Sequence, residues 1–330
     1  MSKKVPLIWV LSEKGLVGTE NQCRAVADAY IEMFPESGRP PIHIKRIKLR
    51  WPWRFFSPFI RFFDGPHMLA AGSDPITPDD DHPDWPDILI CAGRKAIAPA
   101  LWIKRASGGK TFVCVLQKPP IAPALFDMVA APFHDQLSGP NVIVTDGAPN
   151  LVTPERLLTA HEKWTPVLSL LPAPRLAVLI GGTSRTYTFT ADDLDAMIAR
   201  IQDWQTQHHG GLMITVSRRT PTAFIQRIQD AFAGNSAIIY TGTGENPYHG
   251  FLAHADYIMV TTDSTSMISD AASTGKPIDF IPLKGGSSRS SLFLNHMKAR
   301  GIGAFQKDYI RLQDAKNVAD AIKNRFLKEK

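Results

Sequence analysis

Two consecutive α/β units, each a doubly wound parallel sheet of the Rossmann-like kind, are predicted by three observations. Short apolar runs alternate with helical patterns along most of the chain, which is the signature of strand–helix–strand units. The stretch PVLSLLPAP (166–174), with three prolines, interrupts that alternation midway, after which it restarts. The length, 330 residues, exceeds one ordinary core and suggests two. The expected division is a first unit over 1–168 and a second over 172–330.

The elements follow in order. PLIWVL reads as a strand, and 21–34 carries Val26, Ala29, Tyr30 and Met33 at helical spacing. DILICAG is a strand, 95–105 a helix and TFVCVLQ the next strand; DMVAAP and NVIVTDG are shorter strands with no room for long helices between them. After the proline-bearing stretch, LAVLIGG is a strand, 191–208 a helix, GLMITVS a strand and 221–232 a helix. AIIYTG is followed by a helix around 250–254, YIMVTTD by a helix over 266–274, and PIDFIPL is the last strand. A closing amphipathic helix over 318–327 is free to pack back.

Composition narrows the class. The chain is 44% hydrophobic and 21% charged, ordinary for a globular protein. Cys23, Cys91 and Cys114 lie far apart with no C-x-x-C spacing, which argues against a disulfide scaffold or zinc ribbon and for a reducing compartment. The apolar run at 5–11 is strand-sized rather than signal-sized, and no run reaches the about 18 residues of a membrane span. A cytoplasmic protein, peripheral to a membrane at most, is expected. The formal charge of +6 is unevenly spread: six basic residues and no acid lie between Lys45 and Arg61, then six acids and no Lys or Arg between Asp74 and Asp87. Such a basic stretch calls for an anionic partner.

In open parallel sheets, ligands sit beyond the carboxyl ends of the strands, where turns and helix N-termini present free N–H groups. In the second half those turns are GGTS (Gly181, Gly182, Thr183, Ser184), SRRTP (Ser217, Arg218, Arg219, Thr220, Pro221), TGTGENP with Asn246, and TTDSTSM with Ser264, Thr265, Ser266 and Met267. Small, hydroxylated and basic residues suit a pyrophosphate and ribose: close backbone approach, hydroxyl donors and a guanidinium fork. Each turn also has a plainer reading, as a helix cap or a strand-to-helix turn. No G-x-S-x-G, Walker loop or G-x-G-x-x-G follows a strand, so hydrolase, NTPase and dehydrogenase chemistry lose support. No metal-ligand constellation is present, and no metal or tightly bound cofactor is expected.

The segment TTDSTSMISDAASTGKPIDFIPL resembles the nucleotide-sugar segment of GT-B glycosyltransferases. There a Ser/Gly-rich turn opens a helix bearing an acidic residue, then A-x-x-x-G-x-P and an apolar strand. Asp270 stands where those enzymes place the carboxylate, usually Glu, that holds ribose hydroxyls. In order along the chain, WVLSEKGLVGTENQ, PDILICAGR, the His-Asp pair, IGGTSRTY, SRRTP, the ENPY turn and VTTDSTSM together resemble the Elm-type mitochondrial-fission family, over roughly 7–283. The resemblance implies a GT-B-like pair of domains facing across a cleft. It further implies a UDP- or GDP-type nucleotide sugar as substrate and a lipid-linked or envelope acceptor on the first half. A non-catalytic adaptor at a membrane is the alternative it implies.

In the first half, Glu13, His134 and Asp135 follow strands and are the candidates for a general base toward an acceptor hydroxyl. An HD pair in a turn is also an ordinary hydrogen-bonding corner. The basic stretch interleaves cations with Trp51, Trp53, Arg54, Phe55 and Phe56, which suits the headgroup region of an anionic bilayer. The same aromatics would equally pack beneath the first domain. Nucleic acid is not expected as a partner, since no nucleic-acid motif accompanies the stretch.

Overall fold

The computed structural model describes residues 6–34, 42–51, 53, 64–79, 83–234 and 236–327. The chain forms two compact units, one of Met1–Leu151 with Gln313–Lys330, the other of Val152–Leu312.

In the first unit the order is β1 (Ile8–Glu13), α1 (Val17–Glu32), β2 (Ile42–Ile47), β3 (Ile88–Ala92), α2 (Ile97–Ala106), β4 (Phe112–Leu116), β5 (Met128–Pro132) and β6 (Val142–Thr145). All six strands pair in parallel, in the order β2-β1-β3-β4-β5-β6. Alternate side chains of each strand go to opposite faces. Trp9 and Leu11 enter the cluster with Leu89, Ile97, Ile103 and Val113, while Ile8 and Val10 join Cys23, Val26 and Tyr30 on the other face. Burial on both faces is why these strands read as continuous apolar runs.

The second unit begins with α3 (Pro154–Leu168), followed by β7 (Arg175–Ile180), β8 (Tyr187–Thr188), α4 (Ala191–His208), β9 (Gly211–Val216) and α5 (Thr222–Phe232). Then come β10 (Ala237–Tyr240), α6 (Tyr248–His254), β11 (Tyr257–Thr261), α7 (Thr265–Thr274), β12 (Ile278–Ile281), β13 (Lys284–Gly285) and α8 (Ser288–Ala299). Five strands pair in parallel as β10-β9-β7-β11-β12, and β13 pairs antiparallel with β8 in a separate small ribbon. Ala177 and Leu179 of β7 face one cluster; Leu176, Val178 and Ile180 face the other.

One boundary differs from the sequence expectation. The first unit ends near Leu151 rather than at 168, because 154–168 is a helix of the second unit. Thr153 caps it by accepting from the Arg156 N–H (3.3 Å), Pro154 fits its first turn, and Pro166 is tolerated in its last. Trp164 of α3 lies so close to Gly250 of α6 that a Cβ there would meet its ring at 2.5 Å. The closing helix α9 (Asp314–Phe326), whose packing back the sequence left open, packs into the first unit through Val318, Ala319, Ile322 and Phe326. Its first residue, Asp314, is buried and accepts from the Asp146 and Gly147 N–H groups at 2.9 Å each, fixing the turn after β6. Strand β2 and helices α3 and α8 are absent from the sequence reading.

Among the described residues, no helix is long and apolar enough to cross a membrane.

Candidate functional site

Strand order decides where a ligand crevice opens. In the second unit β7 is the first strand of the sheet, with β9 and β10 added to one side and β11 and β12 to the other. The order reverses between β7 and β11, and the turns beyond their carboxyl ends form the switch-point crevice. Those turns are Gly181-Gly182-Thr183-Ser184 after β7 and Thr262-Asp263-Ser264 after β11. The Ser217–Pro221 turn after β9 joins them.

Asp263 ties the three turns together. Its Oδ2 accepts from the Gly182 N–H (3.0 Å) and from Arg219 Nη2 (2.8 Å), and its Oδ1 accepts from the Thr261 hydroxyl (2.7 Å). The carboxylate is 0% exposed, whereas the Arg219 side chain is 39% exposed. Thr261 Oγ1 also accepts from the Gly181 N–H (2.8 Å), and the buried Thr220 donates its hydroxyl to the Gly181 carbonyl (2.5 Å). The two glycines are required by this packing. A Cβ on Gly181 would stand 2.2 Å from an Asp263 oxygen, and one on Gly182 would stand 2.2 Å from the Arg219 carbonyl oxygen.

Several predicted hydroxyls serve their own turns. Thr183 Oγ1 accepts from the Phe189 N–H (3.1 Å), and Ser184 Oγ from the Tyr187 N–H (3.1 Å). Ser217 Oγ accepts from the Arg219 N–H (3.1 Å), and Asn246 Oδ1 from the Tyr248 N–H (3.0 Å) at the start of α6. Ser264 caps α7 by accepting from the Met267 N–H (3.4 Å). Thr265 and Ser266 open that helix, and Ser266 is exposed. Arg218 is exposed and has no hydrogen bond or ion pair among the described residues.

Asp270 lies on α7, where Tyr248 Oη donates to its Oδ2 (2.8 Å). Burial pushes the Asp270 carboxyl up to about 7, the Tyr248 hydrogen bond opposing that rise. Burial and the neighbouring carboxylate together raise the Tyr248 phenol well above its ordinary range.

In the first unit the order reverses between β1 and β3. Glu13, at the end of β1, forms an ion pair with Lys95, beyond β3. His134 and Asp135 occupy a 3-10 turn after β5, their side chains only 6% and 2% exposed and His134 Nε2 3.9 Å from Asp135 Oδ1. Asp135 Oδ2 accepts from the Lys118 N–H (3.2 Å). Glu13 and this pair therefore belong to different strand ends of one sheet, separated by β3 and β4.

The basic and acidic stretches, apart in sequence, meet in the structure. Lys45 is buried over the Trp9 ring (4.7 Å) and lies 4.0 Å from Asp79. Arg46 grips Glu20 with two hydrogen bonds (2.7 and 2.8 Å), and its N–H reaches Asp74 (2.7 Å). Trp51 and Trp53 are 71% and 40% exposed. Arg54, Phe55 and Phe56 lie outside the described residues.

The residues that sequence reasoning missed are Asp263, Thr261, Lys95 and Tyr248. One signal was available for Asp263: it is the single acidic side chain in GGTS, SRRTP and TTDSTSM.

Solved structures share this fold. A UDP-N-acetylglucosamine 2-epimerase from Rickettsia bellii matches at TM-score 0.50 and 11% identity, over 98% of this chain and 96% of that one. The Methanocaldococcus jannaschii UDP-GlcNAc 2-epimerase, solved in complex with UDP-GlcNAc and UDP, matches at 0.51 and 11% identity, over 97% and 100%. Both are proteins of the GT-B fold. The mitochondrial fission protein ELM1 of Arabidopsis thaliana is 30% identical over 244 residues, 66% of this chain and 57% of the plant protein's length. A family model described as "Mitochondrial fission ELM1" matches residues 17–326. With nearly the whole chain inside that match and a GT-B-like fold beneath it, the protein belongs to the Mitochondrial fission ELM1 family.

Proposed function

We propose that the second unit binds a nucleotide sugar of UDP or GDP type in the crevice between β7 and β11, for transfer of the sugar to a lipid-linked or envelope acceptor. The observation that carries this reading is the convergence of three polar turns on one buried carboxylate at the switch point of a five-stranded parallel sheet. In that frame the amides opening α7 and the unpaired Arg218 meet the diphosphate. Asp270 offers its remaining carboxylate oxygen to a ribose hydroxyl. The UDP in complex with the jannaschii epimerase supports UDP as the first probe. Electrostatic stabilisation of the leaving diphosphate is the main contribution these groups would make to transfer.

Titration of the full chain with UDP, UDP-GlcNAc and GDP tests the reading. At a hundredfold excess over its dissociation constant, a bound nucleotide stabilises by about 2.7 kcal/mol, an easily read rise in melting temperature. Arg218→Ala is expected to weaken binding by about 1.5–3 kcal/mol. Unchanged melting with every nucleotide at millimolar concentration overturns the proposal.

A second reading, a nucleotide-binding adaptor without chemistry, is favoured by the first unit. His134 and Asp135 are buried, and Glu13 is held by Lys95, so the candidate bases are engaged within the fold. Release of free UDP from a bound UDP-sugar on adding membrane extract separates the two readings. The exposed Trp51 and Trp53 support an anionic bilayer as the place where an acceptor is met.

A further inference from the structure

We infer that Asp263 is an internal counter-anion that sets how much positive charge the β7/β11 crevice offers to an incoming phosphate. This inference rests on the nucleotide-binding reading above and assigns a positioning residue to that site.

A phosphate at a Rossmann-type switch point ordinarily takes the amides of the glycine turn together with a nearby cation. Here a side chain of the protein already occupies that arrangement. The Gly182 N–H, the Thr261 hydroxyl and the Arg219 guanidinium all donate to the fully buried Asp263 carboxylate. Gly181 and Gly182 leave room for that carboxylate and for the Arg219 backbone, at separations where any Cβ would clash. The two glycines are thus accounted for by Asp263 and the Arg219 backbone, before any ligand is considered. Arg219, although partly exposed, has its charge neutralised at 2.8 Å, whereas Arg218 beside it is unopposed. Asp263 therefore does two things: it holds the turns in place, and it subtracts one positive charge from the crevice. Those two effects move stability and anion affinity in opposite directions when the charge is removed.

The test measures melting temperature without ligand and UDP affinity by calorimetry, for the full chain and three variants. Asp263→Asn keeps the side-chain shape but releases Arg219. It should melt at a lower temperature and yet bind UDP more tightly, by about fivefold for one unit charge acting across roughly 8 Å at intermediate dielectric. Arg219→Gln leaves the carboxylate unopposed and should weaken UDP binding by a comparable factor. The double variant should cancel the gain of Asp263→Asn. A residue with only a structural role gives a different pattern, in which affinity falls together with stability in every variant; that pattern overturns the inference. If Asp263→Asn does not fold, Arg219→Gln decides, since wild-type affinity in it also overturns the inference. Absence of UDP binding by the wild-type chain is a separate outcome, and it sinks the nucleotide reading and the inference with it.

Discussion

The two units solve one topological problem in different ways. Both are parallel sheets whose strand order reverses once, between β1 and β3 in the first and between β7 and β11 in the second. Both place an ion pair at the reversal. In the first unit the pair joins two long, partly exposed side chains, Glu13 and Lys95, and the glycine beyond β3 stands in open space. In the second the carboxylate is sealed in and bound to backbone, hydroxyl and guanidinium at once, and both glycines are crowded. A pair of exposed ends tolerates change, whereas a buried hub does not. The second crevice is built to one geometry, and the first is open to adjustment.

The largest effect expected from that difference comes from alanine at matched glycines. In Gly182→Ala the new Cβ would fall 2.2 Å from the Arg219 carbonyl oxygen, and neither backbone can yield without breaking the Asp263 contacts. A loss of about 3 kcal/mol is expected. Gly93→Ala, beyond β3, meets nothing within 4 Å and suffers only from its φ of +89°. That strain costs about 1 kcal/mol. Hydrogen exchange read separately on β1/β3 and β7/β11 amides measures each unit by itself. Equal losses at the two glycines would break the comparison.

A second contrast is in pH. In the first unit the Arg46 hydrogen bonds hold the Glu20 carboxyl below its ordinary value. Its contribution is present above the unfolded carboxylate range and is lost as pH falls through the folded value. In the second unit burial raises Asp270 to about 7. Between about pH 4 and 7 the folded state then keeps a proton that the unfolded state has released, so stability falls as pH rises through that window and levels off above it. The loss is on the order of 2 kcal/mol, because partial exposure holds it below the about 4 kcal/mol of full burial. Asp270→Asn should flatten the slope of the second unit and leave the first unchanged. The same slope in the variant and the wild type would exclude Asp270 as its source.

What the sequence disclosed follows the same division between what is local and what is not. Strands buried on both faces were legible as apolar runs, and the helix over 191–208 was legible from its pattern, its Thr190–Asp193 capping box being seen in the structure. Strand β2, IHIKRI, was hidden because Lys45 is buried with its ammonium over the Trp9 ring, which no alternation rule anticipates. Helix α3 was hidden because Pro166 reads as the start of a proline-bearing linker, although it and Pro154 both sit where a helix accepts them. The turns of the second crevice were legible because they follow strands. Their internal roles were not. That Arg219 is engaged and Arg218 is not depends on Asp263, 44 positions further along the chain, and Asp270 meets Tyr248 across two helices. Such pairings are made by tertiary structure and leave no mark on spacing.

The smallest effect expected sharpens the contrast most. Glu13 and Lys95 keep 21% and 33% of their side-chain surface exposed, so water and salt already shield the pair. Glu13→Gln removes the charge, keeps the shape, and leaves Lys95 able to reach solvent. The expected loss is about 0.5–1 kcal/mol, and it should shrink as ionic strength rises, because a partly exposed pair is screened over about 10 Å at 0.1 M salt. Urea unfolding of Glu13→Gln at low and high salt, read on β1 and β3, measures both the size and the screening. If the variant instead loses as much as Gly182→Ala, and loses it independently of salt, then the first crevice is as rigidly built as the second. Glu13 would then have to be held by backbone donors in the way Asp263 is, and the first unit could no longer be described as the adjustable one.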